Sequence, residues 1–130
     1  MLNKRRAYAT LPAADLMRAR GFYEDTLGFS GREESGGVLY DTTEGNTFMV
    51  FPSTGAPSGD HTQLSFEVDD LEREVTDLKQ KGIRFEAVAM DGYDTQTSIV
   101  TTDDFRGAWF RDTEGNLLAV AEPTAGSRRS

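Results

Sequence analysis

The sequence predicts an α+β fold: two βαβββ repeats form one curved, eight-stranded sheet around a concave cavity, with the helices on the convex side. Three observations predict it. Thr43-Glu44-Gly45-Asn46 returns as Thr113-Glu114-Gly115-Asn116, each copy between two apolar runs. Those runs are Val38-Leu39-Tyr40 and Phe48-Met49-Val50-Phe51 in the first half, Ala108-Trp109-Phe110 and Leu117-Leu118-Ala119-Val120 in the second. Asp15-Leu16 and Asp70-Leu71 each open a helical pattern directly after a β-like run. The offset between copies is 55 residues at the helix start and 70 at the turn, so the second copy carries 15 extra residues. A duplication that extends beyond one turn implies a repeated structural unit.

Residues 7–12 alternate as a strand that Pro12 ends. Asp15 stands where an N-cap belongs, its carboxylate able to accept orphan amides of the first turn. Leu16, Ala19, Tyr23 and Leu27 recur at helical spacing beside Phe22, and Gly28 follows as the residue past the helix end. Residues 29–33 read as an edge strand, 35–37 as a turn, and the first hairpin follows. Its Glu-Gly and Gly-Asn steps supply the positive φ of a tight turn.

Residues 52–60 are rich in Pro, Gly and Ser and form the connector between halves. The second copy restarts as a strand over 61–68. Its helix carries Leu71, Val75 and Leu78 on one side, with Glu72 three residues after Asp69 in a capping-box spacing and Gly82 at the end. Residues 83–89 read as a strand, 90–106 as a long insertion, 107–111 and 115–122 as the second hairpin. The domain boundaries follow: repeat one over about 6–53, a linker over about 54–60, repeat two over about 61–123 and a tail over about 124–130, all within a single domain.

A chain of 130 residues can bury one real core. It has 22 acidic and 14 basic side chains, a net charge of −8, which repels phosphate backbones and anionic lipids. Nucleic acid and membrane are therefore not expected partners. The basic groups Lys4-Arg5-Arg6 and Arg128-Arg129 sit at the two ends, where frayed tails are common. There is no cysteine for disulfides or thiol chemistry, and no apolar run approaches membrane-spanning length. The basic start lacks the apolar stretch of a secretory signal, so a cytoplasmic location is expected.

The residues also carry a resemblance. Leu-Pro, Asp-Leu, Phe-Tyr and Leu-Gly-Phe within 7–29, the run Phe66-Glu67-Val68-Asp69-Asp70-Leu71, and the stretch 107–117 resemble the vicinal oxygen chelate superfamily, which includes glyoxalases, bleomycin resistance proteins and extradiol dioxygenases. That resemblance implies the two-repeat fold, a small-molecule ligand in the cavity and a homodimer. In metal-dependent relatives it implies four strand positions bearing His, Glu or Gln. Carried over, those positions read Tyr8, Met49, Gln63 and Ala119. One amide cannot replace the missing donors, so neither a metal nor another cofactor is expected.

The function expected is metal-free binding of an apolar or aromatic small molecule. Tyr8, Tyr40, Met49, Phe51 and Phe110 would line the cleft over Ala119, and Thr10, Gln63 and Ser65 would supply polar groups that a dry core does not tolerate. If the second hairpin pairs two residues either side of Glu114-Gly115, Phe110 shares a face with Leu117 and Ala119. Trp109 alternates with Phe110, so one of the two faces the cavity and the other the helix. Tyr93, in the insertion, would close over the ligand as a lid. The plain alternative is that these aromatics fill the cavity.

His61, the sole histidine, lies two residues before Gln63 and shares its face. It reads either as a general base near the ligand or as a half-exposed strand-start histidine beside Asp60. The competing function is a lyase, isomerase or oxygenase, with His61 as base or with a displaced metal site of His61, Gln63 and Glu122. The latter requires a register shift, because Glu122 is three residues beyond Ala119. Asp91, Asp94, Asp103 and Asp104 lack the ligand spacing of a calcium loop. A third reading is a structural module that only binds a protein partner.

Overall fold

A computed structural model describes residues 1–34, 36–55, 57 and 59–123. Ser35 of the expected turn, positions 56 and 58 of the expected linker, and the expected tail at 124–130 lie outside the described residues. The chain divides into two compact units. Unit 1 comprises Met1–Gly59 with Thr113–Asn116, and unit 2 comprises Asp60–Asp112 with the chain from Leu117 onward.

Unit 1 holds β1 (Ala9–Ala13), α1 (Leu16–Arg20), β2 (Gly31–Glu34), β3 (Gly37–Asp41) and β4 (Thr47–Pro52), in the sheet order β1-β4-β3-β2. β1 runs parallel to β4, and the other pairs are antiparallel. Asp15 caps α1, its Oδ1 accepting from the Arg18 amide at 3.1 Å. The expected single helix changes pitch: from Gly21 to Thr26 it is wound as a π-helix, with the Leu27 amide donating to the Phe22 carbonyl. Gly28 then turns the chain at φ +85°, as expected of a residue past the helix end.

The helix-facing side of this sheet carries an aromatic core. Tyr23 stacks on Tyr40 with centroids 5.5 Å apart, and Phe48 lies 5.4 Å from Tyr40. Phe29 meets Phe48 edge-on at 5.3 Å. Leu11, Val38 and Val50 complete it, each at most 1% exposed. Burying a side chain of this size contributes about 1.5–3 kcal/mol, which is why a short sheet with one brief helix holds together.

Thr113–Asn116, the second copy of the repeated turn, belongs to unit 1. The Glu114 side chain is 1% exposed. Its Oε1 accepts from the Asp15 amide at 2.9 Å, and Oε2 accepts from Arg18 Nε at 2.8 Å. Asn116 Nδ2 donates to the Pro12 carbonyl at 2.9 Å. Glu44, the same residue in the first copy, is exposed.

Unit 2 holds β5 (Leu64–Glu67), α2 (Leu71–Gln80), β6 (Val100–Thr101), β7 (Arg106–Arg111) and β8 (Leu117–Glu122), in the order β5-β8-β7-β6. Its connectivity repeats that of unit 1, so the α+β class and the two βαβββ units are as expected. α2 buries Leu71, Val75 and Leu78. Its cap is Asp70 rather than Asp69, with Oδ1 accepting from the Arg73 amide at 3.2 Å. The Leu71 amide donates to Glu122 Oε2 at 3.0 Å.

Two expectations for unit 2 are corrected. The strand expected over 83–89 is not continuous; its trace is an isolated bridge from Phe85 to Phe110, with the Glu86 amide donating to the Trp109 carbonyl at 2.7 Å. The fourth strand is completed by β6, where Val100 pairs with Gly107. In unit 1 the equivalent strand pairs Gly31 with Tyr40 and Glu34 with Gly37 without interruption. The extra residues therefore sit inside the strand and split it in two, rather than following it as a loop.

The second correction is register. Both hairpins leave five residues between their last paired positions, Asp41↔Thr47 and Arg111↔Leu117, with Gly45 and Gly115 at φ +90° and +91°. That pairs Phe110 with Leu118 and Trp109 with Ala119, one residue away from the expected alignment. In a structure of period two, a slip of one residue moves every side chain to the other face. Phe110 accordingly lies opposite to Ala119, buried against Phe85 at 5.5 Å.

Candidate functional site

Each sheet has one face covered by its helix and one that the helix leaves free. Strand pairing identifies which residues the helix-free face presents, and their exposure shows which of them a ligand can reach. In unit 1, Thr10, Met49 and Leu39 are directly paired neighbours, and Pro12 and Phe51 follow two residues on. Thr10 is exposed, Phe51 half-buried, and Met49 8% exposed. Tyr8, just before β1, is 40% exposed and lies under the Arg6 guanidinium at 5.6 Å.

Tyr40 does not belong to this set. It pairs with Phe48, is fully buried on the helix side, and its hydroxyl donates to Glu24 Oε2 at 2.8 Å. Burial, and then the Glu24 carboxylate, push its phenol well above the ordinary range. Tyr40 and Phe110 occupy equivalent positions in the two hairpins, and both are core rather than pocket.

In unit 2 the free face presents Ser65 and Glu67 from β5, Leu117, Ala119 and Ala121 from β8, and Gly107, Trp109 and Arg111 from β7. Gln63 extends the β5 row: its amide donates to the Leu117 carbonyl at 2.8 Å, and its Oε1 accepts from the Leu117 amide at 3.2 Å. His61, two residues earlier, is exposed. Trp109 is thus the aromatic that faces away from the helix.

The residues in the middle of this face are small: Ala119 and Gly107 are buried, Ala121 is half-buried, and Phe105 folds back over Gly107. A Cβ at position 107 would stand 2.4 Å from Phe105 Cζ, so only glycine admits the ring. Phe105 lies nearly parallel to Trp109, with centroids 5.4 Å apart and planes 23° from parallel. Trp109 Nε1 donates to Thr62 Oγ1 at 2.9 Å, which fixes the indole.

Beside this stack is a hollow of about 370 Å³, with Ser65 and Glu67 on one wall, Asp104 and Phe105 on the other, Ala121 as floor and Pro123 at the end. A second hollow of about 370 Å³ lies against α2, over Val75 and Ile99. Lys79 Nζ crosses from α2 toward the carbonyls of Gln96 and Thr97, at 3.4 Å from each, and there is no aromatic surface. The hollow beside Phe105 is the better ligand site. Tyr93, the expected lid, is bridged to Val100 at the β6 edge and does not line this hollow.

The metal positions implied by the family resemblance do not fit an ion. Ala119 has no donor, Met49 offers only a thioether, Gln63 already uses its oxygen on the Leu117 amide, and Tyr8 is a single phenol. The displaced alternative fails on geometry. Glu122 pairs with Arg106 on the side opposite to Ala119, and its carboxylate accepts from Arg106 Nη1 at 2.8 Å and from the Leu71 amide. Among the described residues, no group of three or more His, Cys, Asp or Glu side chains is placed to hold a metal.

Sequence reasoning missed Phe105, Asp104, Glu67 and Ala121. Glu67 and Ala121 had a signal, since they continue the alternations 63, 65 and 119 by one step. Phe105 had none beyond its nearness to Gly107.

The family model described as Glyoxalase/Bleomycin resistance protein/Dioxygenase superfamily matches residues 5–120. Among solved structures, the fold is similar to that of TnmS3, an antibiotic binding protein from Streptomyces sp. CB03234, at 19% identity and a TM-score of 0.69, covering 93% of this chain and 98% of that one. A glyoxalase family protein from Enterococcus faecalis is similar at 21% identity and a TM-score of 0.67, covering 94% and 100%. A glyoxalase/dioxygenase from Nostoc punctiforme is similar at 17% identity and a TM-score of 0.65, covering 93% and 92%. The comparison with curated proteins gives no match. No helix among the described residues is long and apolar enough to cross a membrane.

Proposed function

The chain belongs to the glyoxalase/bleomycin resistance protein/dioxygenase superfamily, and from that premise we propose that it binds a flat aromatic small molecule without the help of a metal ion. One observation carries the reading: Phe105, stacked on Trp109, forms one wall of a hollow whose floor is Ala121. Aromatic walls with a few polar groups are the usual make-up of a ligand site, and an offset-stacked ring gains about 0.5–1.5 kcal/mol beyond its area burial. Ser65, exposed on the β5 wall, offers a hydroxyl to orient the ligand. That TnmS3, of the same fold, is an antibiotic binding protein supports a binding role for a chain of this fold.

The donor set supports metal independence, since an ion that the four strand positions cannot hold cannot polarise a bound oxygen. Sequestration or sensing of the ligand is the role that goes with this reading, and the homodimer expected from the family resemblance is part of the same proposal.

Trp109 is the sole tryptophan, and its emission reports on the hollow through Phe105, on which it stacks. Titration with flat two-ring aromatics is expected to quench or shift that emission saturably, and Phe105→Ala to weaken binding several-fold while circular dichroism stays unchanged. A Trp109 signal indifferent to every ring tested, with heat of binding also absent, refutes the proposal.

A further inference from the structure

Charge around the hollow narrows the ligand further than its flatness does. Resting on the aromatic-binding reading above, we propose that the ligand of the unit 2 hollow is an aromatic that carries a protonated amine. Glu67 and Asp104 stand on opposite walls, both exposed, and neither forms an ion pair among the described residues. Four other acids of unit 2 are paired, Glu72 and Glu122 with Arg106, Asp60 and Glu86 with Arg111. No Lys or Arg lines the hollow; the nearest cations are Arg73, which stands with Glu67 around the neighbouring hollow, and Arg106, which is held by Glu72 and Glu122.

The geometry suits a ring with a charged arm. Glu67 is paired with Ala121, and Ala121 with Gly107, over which Phe105 lies. Two strand spacings separate the walls by about 10 Å, which admits a ring lying against Phe105 with an ammonium group directed at Glu67 and Asp104. A neutral ring gains the stacking and nothing from the carboxylates. An aromatic carboxylate meets two like charges, and the overall charge of −8 opposes its approach.

Three probes of one shape and different charge test this: naphthylmethylamine, naphthylmethanol and naphthoate, titrated against the full chain by Trp109 emission and by calorimetry. At low ionic strength the amine is expected to bind about ten-fold more tightly than the alcohol, and naphthoate most weakly, with the preference shrinking in salt. The Glu67→Gln, Asp104→Asn double variant is expected to lose the preference for the amine, read as the ratio of the amine and alcohol affinities within that variant. Equal affinity for amine and alcohol overturns the inference while leaving the aromatic-binding reading intact. A preference for the amine that survives in the double variant overturns it too, because the charge then acts from elsewhere. Binding of none of the three overturns both.

Discussion

Replacing Glu114 by glutamine tests the contact that joins the second TEGN turn to helix α1. Hydrogen bonding from the Arg18 guanidinium, with further bonds from the Asp15 amide and the Thr113 hydroxyl, holds the Glu114 carboxyl at about 2 against an ordinary 4.5, although burial opposes the shift. That difference sets a ceiling of about 3 kcal/mol on its contribution to stability. The Arg18 side chain is 53% exposed, so solvent screening brings the expected value down to about 1–2 kcal/mol. The folded-state pKa lies below the unfolded one. The stabilisation is therefore full above about pH 4.5 and is lost as the pH falls from there toward 2. Urea unfolding at pH 7 is expected to show Glu114→Gln less stable by about 1–2 kcal/mol, with the gap closing near pH 2. A gap of the same size at both pH values refutes the reasoning, because it would place the loss in shape or packing rather than in charge.

Tyr40→Phe removes a buried hydroxyl bonded to Glu24 and is expected to cost about 1 kcal/mol in thermal or urea unfolding without altering aromatic binding, since Tyr40 faces the helix. Gly107→Ala drives Phe105 off the sheet; it is expected to change Trp109 emission in the free protein and to weaken binding of naphthyl probes by about three- to ten-fold. Protein purified without chelator is expected to contain far less than one equivalent of any transition metal by elemental analysis, and added zinc is expected to leave probe affinity unchanged.

Much of the fold was legible because it is written in local chain chemistry. Asp15 caps the first helix from its own side chain, Gly28 ends that helix, and Gly45 and Gly115 take the positive φ that the turn requires. The candidate site was legible in part. Gln63, Ser65 and Ala119 share the helix-free face of unit 2, and Thr10, Met49 and Phe51 that of unit 1. Tyr40 and Phe110 were assigned to the wrong side by the same error, a miscount of one in the length of a five-residue turn.

The sequence by itself determined the duplication, the order of elements and the poverty of metal donors, because each follows from residue types and spacings close along the chain. Tertiary structure alone decided the faces of the hairpin residues, the splitting of the fourth strand of unit 2, the fold of Phe105 over Gly107 and the capture of Glu114, but not Glu44, by a helix start 99 residues away. These depend on which segments meet across long separations. With a side-chain period of two, one residue of register separates a buried core ring from a ligand-facing one.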